Sequence, residues 1–481
     1  MKLLLFPLLM SGVCWPLTGH VQGQELAQKV IVRAAVSRET VDLNWLLDNP
    51  SLFTATHEDF EKNYPRKTYM WLDKDKTRAR FNPDRVSIKM RGETVGETIV
   101  SFKDTKISAV MISVINKGDD GYIKEVPYKT AVKLGTTVLS GLAKVKENPR
   151  RKDETVSRAE GSVWSTKKAM YMLEYLWVPE EVRDGWRFYA HCEFVRIRIL
   201  PPQAQLGVQQ NMVKTNVSKA ALGKRVKRES DKIWLEGVPM VDQGGKGYCA
   251  VASFERVMRY YGSQVDMHDL ADLANANAFG TSPSGMKDAV HKMAVRSGMR
   301  TREPIFMEGK DYDSLMKSYN REAKKGGSGE VTRPSGIFGL YREMDPDVCR
   351  KMRVKDGNFT KFGAEIVKSI NAGVPVMWAM QLGMFWEEKI EDSYEANRDK
   401  ESANEDDETP KSKPEDTNPE TRPKRPPEQM SGGHMRLIVG YNLKEKKIYY
   451  TDSWGPGHEM KSMNLDDAWT VTMALFMIEP N

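Results

Sequence analysis

Ala250, Phe254, Val257, Met258 and Tyr261 recur at the three-and-four spacing of one helix face, and Gly262 follows as a stop, so a helix should open at Cys249. Elsewhere the period is two. "TIVSFKDTKISAVMISVINKGDDG" reads as two strands around a turn at 103–106. In "WRFYAHCEFVRIRIL", Phe188, Ala190, Cys192 and Phe194 share one parity, while Val195, Ile197 and Ile199 take the other. That switch predicts a long strand with a bulge near Phe194. "STKKAMYMLEYLW" has helical spacing, and Thr56 with Asp59 in "THEDFEKNY" forms a capping box. "GVPVMWAMQLG" reads as a core strand, and "SGGHMRLIVGYN" and "KKIYYTDSWG" as two strands joined by a polar turn at 442–447. The mixture predicts an α+β fold.

Composition adds domain count and compartment. With 481 residues, 40% of them hydrophobic, the chain can fill two or three packed cores. It opens "MKLLLFPLLMSGVCWPLTGHVQG": a basic start at Lys2, an apolar run to about Leu17, then small and polar residues. This is the pattern of a signal peptide cut after Gly23, and the run is shorter than the ~20 residues that span a bilayer. The expectation is a secreted or periplasmic protein with no stable membrane insertion, or an anchored one if the leader stays uncut. Of four cysteines, Cys14 leaves with the leader, and the odd number left keeps at least one of Cys192, Cys249 and Cys349 unpaired. Cys249 is expected to be that free thiol. The net charge of +7 is spread over short alternating runs without interleaved aromatics, which argues against a nucleic-acid partner.

Residues 24–202 are expected to form an α+β domain without a catalytic constellation, followed by a basic linker over 203–232. The cluster Lys224, Arg225, Lys227 and Arg228 in that linker offers sites for protease trimming. A second domain should run over 233–481, interrupted at 387–430 by a charged, proline-rich insertion too poor in apolar residues to order itself.

Chemistry concentrates in this second domain. A cysteine at a helix N-terminus meets aligned peptide dipoles, which favour the thiolate. Gln243, six residues earlier across a turn containing Gly244, Gly245 and Gly247, can swing back to donate to an oxyanion together with the Cys249 N–H. His434 follows two glycines and opens an apolar strand. The neighbouring strand ends at Asp452, Ser453, Trp454 and Gly455, so Asp452 can orient the imidazole while Trp454 shields that bond. His268, His291 and His458 are assigned structural or surface places. No metal-ligand spacing or phosphate loop is present in the sequence, so no cofactor is expected.

Gln243, Cys249 opening a helix, Gly433-His434 and Asp452-Ser453-Trp454-Gly455 resemble, in the same chain order, the papain-like cysteine peptidase superfamily. They are closest to bacterial secreted proteins similar to the double-glycine leader peptidases. The resemblance covers the C-terminal half of the chain and implies a helix bearing the cysteine packed on an antiparallel sheet bearing His and Asp. Papain carries asparagine where this chain has Asp452, whereas the leader-peptidase branch uses aspartate, and the transporter domains fused to true leader peptidases are absent here. The implied activity is hydrolysis of peptide bonds in a peptide or protein substrate through a thioester. Two alternatives stand beside it: a transglutaminase-like acyl transferase, and a non-catalytic binding or scaffold protein.

Overall fold

The computed structural model describes residues 38–480 except 74, 121, 146–147, 150–158, 184–185, 203–216, 218, 245–246, 264, 266, 268–269, 272–282, 297, 388–424, 427–431 and 456. The leader with Cys14 and Gly23, the first half of the expected linker, Gly245, His268 and nearly all of the expected insertion lie outside the described residues. No described helix is long and apolar enough to cross a membrane.

In the N-terminal domain the helix His57–Asn63 (α1) is held by the Thr56–Asp59 capping box. Its main sheet contains Met70–Trp71 (β1), Arg78–Phe81 (β2), Thr98–Lys103 (β3) and Lys106–Asn116 (β4). After the helix Glu125–Ala143 (α2) it continues with Asn148–Pro149 (β5), Glu160–Ser165 (β6), Met170–Val178 (β7) and His191–Leu200 (β8). The order is β1-β2-β3-β4-β8-β7-β6-β5, antiparallel throughout. The bulge expected near Phe194 is present: Phe194 pairs with Leu176 and Cys192 with Trp177, leaving Glu193 unpaired between them.

The helix expected over "STKKAMYMLEYLW" is instead β7, paired on both sides. An interior strand covered on both faces needs apolar residues at consecutive positions, which erases the alternation that separates strand from helix. Gly135 lets α2 lie down on this strand, since a Cβ there would stand 2.5 Å from Leu173 Cδ1.

The stretch expected as a linker is partly sheet. Val226–Glu229 (β9) pairs with Lys232–Leu235 (β10), and β10 joins the second domain's sheet. Its charges suit an edge strand, where solvated side chains block further pairing. Arg225 is not loose either, because its guanidinium lies 4.5 Å over the Tyr260 ring.

In the second domain, Cys249–Tyr260 (α3) is followed by Met299–Phe306 (β11) and the helix Gly336–Glu343 (α4). Val376–Leu382 (β12), Gly432–Asn442 (β13), Lys447–Thr451 (β14), Lys461–Asn464 (β15) and Thr472–Pro480 (β16) complete the domain's strands among the described residues. The sheet order is β9-β10-β13-β12-β16-β11, with β14 pairing β13 and β15. All of these pairs are antiparallel, so the α+β expectation holds.

The helix α3 is buried nearly all round. Its polar positions Ser253, Glu255 and Arg256 are as enclosed as Val251 and Phe254. The N-terminal domain reaches the side away from the apolar face: Arg78 of β2 lies 3.7 Å from Glu255. A buried charge survives only when paired.

Candidate active site

Cys249 is the first residue of α3 and is partly exposed. The helix is pinned to β13 one turn further on, where the Ser253 hydroxyl donates to the Met435 carbonyl at 3.2 Å. The backbone amides of Met435, the residue after His434, and of Ala250 and Cys249 at the helix start favour the thiolate form of this sulfur. Sequence position 249 is thereby brought against the strand carrying His434.

His434 is buried, with its ring stacked on Trp454 at 4.4 Å between centroids and 18° between planes. Trp454 is 38% exposed, so it forms the solvent-side wall over the imidazole. Burial, seconded by the Arg436 charge, pushes the His434 imidazole down to about 3. Its Nε2 is buried without a hydrogen-bond partner among the described residues.

Asp452 follows β14 and is fully buried. The β13–β14 register explains its surroundings. Thr451 pairs with Leu437, so Asp452 falls beside Arg436, two residues along the strand from His434 and on the same face. Oδ2 lies 3.4 Å from Arg436 and 3.7 Å from Lys461, Oδ1 lies 3.0 Å from Nδ1 of His458, and the Trp454 amide donates to Oδ1 at 3.3 Å. Burial alone would raise this carboxyl, but His458, Arg436 and Lys461 hold it below the usual carboxylate range.

The expected Asp452–His434 hydrogen bond is not formed among the described residues; the imidazole beside the carboxylate is that of His458, which fits the structural place assigned to it. The thiolate favoured by the helix terminus is also not the resting state: burial raises the Cys249 thiol, outweighing the amides of Met435, Ala250 and Cys249 that pull it down. A half-unit dipole charge is weaker than the desolvation of a full anion.

Gln243 is buried, its amide donating to the Ser453 carbonyl at 2.8 Å. The Ser453 hydroxyl donates to Oε1 at 2.6 Å, which orients the side chain and leaves the NH2 as its donating end. Gln243 thus joins the turn before α3 to the "DSWG" segment after β14.

Several residues around the site carry no local signal in the sequence. Arg256 on α3 donates from Nε to the Pro239 carbonyl, from one terminal nitrogen to the Asp452 carbonyl and from the other to the Thr451 hydroxyl, each at 2.7 Å. Glu387, expected as the first residue of a disordered insertion, is instead held 2.7 Å from Arg436 and 3.7 Å from Lys461. Cys192 and Cys349 are, like Cys249, free thiols, and both are buried and pushed up to about 12 by burial.

Residues 235–474 match the Peptidase_C39 like family. The match supports placing this domain in the papain-like cysteine peptidase superfamily. The N-terminal domain lies outside it, and no curated protein matches the chain. The matched span contains Gln243, Cys249, His434, His458 and Asp452, and it begins on the last residue of β10, within the stretch first read from sequence as following a linker.

Proposed function

We propose that the protein is a secreted or periplasmic cysteine peptidase acting on a peptide or protein, nearest within its superfamily to secreted relatives of the double-glycine leader peptidases. Cys249 is the nucleophile, His434 the base and acid, Asp452 the carboxylate and Gln243 an oxyanion donor. What carries this reading is Cys249 opening a helix that Ser253 pins to Met435, the residue next to His434.

The resting pair is a neutral thiol and a neutral imidazole, so the base works at the moment of attack. His434 takes the thiol proton as sulfur bonds to the carbonyl carbon, and the carbonyl oxygen becomes an oxyanion facing Gln243 and the Cys249 N–H. Collapse breaks the C–N bond, and the imidazolium passes its proton to the amine. Water, losing a proton to His434, then cleaves the thioester, and the sulfur recovers that proton. The buried Asp452 charge stabilises the transient imidazolium, while Glu387 offsets the opposing charge of Arg436.

A peptidyl epoxide tests this. It should modify Cys249 alone, because Cys192 and Cys349 are buried, and the adduct is located by peptide mass mapping. Peptide cleavage that persists unchanged in Cys249→Ala overturns the reading.

A further inference from the structure

The turn bearing Gln243 is held from the other domain. Asp242 precedes Gln243, and its Oδ1 accepts the Gly244 amide at 2.8 Å. Its Oδ2 is paired with Arg80, a residue of β2 in the N-terminal sheet. Arg80 is 1% exposed and also donates from Nε to the buried Glu97 at 2.6 Å. Two residues along β2, Arg78 donates to the Met240 carbonyl at 2.7 Å and faces Glu255 of α3 at 3.7 Å. Gly455 closes over the same oxygen: a Cβ there would stand 2.9 Å from Oδ2, and its φ of +85° already suits only glycine. Asp242 is therefore wedged between the N-terminal sheet and the "DSWG" turn, and Gln243 beside it has its amide tied to Ser453.

We propose that Arg80 is a positioning residue of the oxyanion hole, acting through Asp242 on Gln243, which makes the N-terminal domain a permanent part of the active enzyme. This rests on the peptidase reading above. A buried ion pair fixes geometry strongly because breaking it strands a charge, here the Asp242 carboxylate or, on the other side, Glu97. An oxyanion donor displaced by about 1 Å loses much of its effect, and losing such a donor altogether costs about 10²–10³ in rate. Removal of residues 24–228 as a pro-segment would release both arginine clamps at once.

The experiment uses the full chain and two probes of Cys249. A peptidyl aldehyde forms a hemithioacetal whose oxygen occupies the oxyanion hole, whereas iodoacetamide needs only the sulfur. Asp242→Asn keeps an acceptor for Gly244 and removes the ion pair; Arg80→Gln does so from the other side, and Arg80→Lys restores a charge. The expected result is aldehyde affinity lowered about 10- to 100-fold in Asp242→Asn and Arg80→Gln, partly recovered in Arg80→Lys, with alkylation rates within about twofold of wild type. Gln243→Ala should share that signature. If Arg80→Gln fails to fold, Asp242→Asn alone decides. Aldehyde affinity unchanged in a folded Asp242→Asn but lost in Gln243→Ala overturns the role of Arg80 and leaves the peptidase standing. Affinity unchanged in Gln243→Ala and Cys249→Ala as well overturns both.

Discussion

Oδ1 of Asp452 lies 3.0 Å from Nδ1 of His458, six residues on, and not against the His434 imidazole. The carboxylate is thus anchored from its own loop, with Arg436 and Lys461 on its other oxygen. The three groups set a gradient of mutational effect. His434→Ala should reduce turnover by about 10²–10⁴, the range of general acid–base catalysis. Asp452→Ala should cost less, since its carboxylate acts on the imidazole without transferring a proton. His458→Ala should cost about tenfold, roughly 1.4 kcal/mol, because it removes only the contact that seats the carboxylate. Steady-state kinetics on one cleavable peptide ranks them, and a His458 variant slower than the Asp452 variant contradicts the anchoring role.

Alkylation of Cys249 should report a neutral resting thiol. Because burial raises this thiol and keeps His434 largely unprotonated above about 3, the iodoacetamide rate should climb with pH through the neutral range. A stopped assay from pH 4 to 9 measures it. A plateau already reached at acid pH would mean a preformed thiolate–imidazolium pair.

Acid should weaken the fold in two windows. His434 has a folded value of about 3 against an ordinary 6.5, so the unfolded chain binds more protons between these values. Its stabilising contribution is complete above about 6.5 and is lost as pH falls towards 3. Asp452, depressed in the folded state, contributes above its ordinary 3.8 and loses that contribution as pH falls below it. Urea midpoints measured from pH 7.5 to 4 should therefore fall, and His434→Gln should flatten the slope. Equal slopes for the two proteins would show that burial does not depress this histidine.

Glu387→Gln should be among the most destabilising single changes outside the core. It strips Arg436, itself 0% exposed, of a partner at 2.7 Å, and removing one member of a buried pair typically costs about 3–5 kcal/mol. It should also slow turnover, since the guanidinium, left with Asp452 as its remaining carboxylate partner at 3.4 Å, opposes the His434 imidazolium more strongly. By contrast, replacing residues 390–424 with a short Gly-Ser loop should leave the Tm within about 2 °C, because closure entropy changes by only about 0.6 kcal/mol per doubling of loop length. Thermal melts of the two variants side by side check both statements.

By itself the sequence determined the local pieces and their order. The helix opening at Cys249, the strands leading from His434 and up to Asp452, and the capping box at Thr56 are each written in a short window, because period, caps and turns are near-neighbour properties. The Gln-Cys-His-Asp order then sufficed to suggest the superfamily. Only the tertiary structure decided how those pieces meet. Whether "STKKAMYMLEYLW" is strand or helix depended on the two strands that pair along its edges. The partner of Asp452 depended on the β13–β14 register, which sets Arg436 and not His434 beside it. The protonation of Cys249 and His434 depended on burial, a sum over distant atoms that no local window records. Arg80 and Asp242 stand 162 residues apart, and only folding makes them one ion pair.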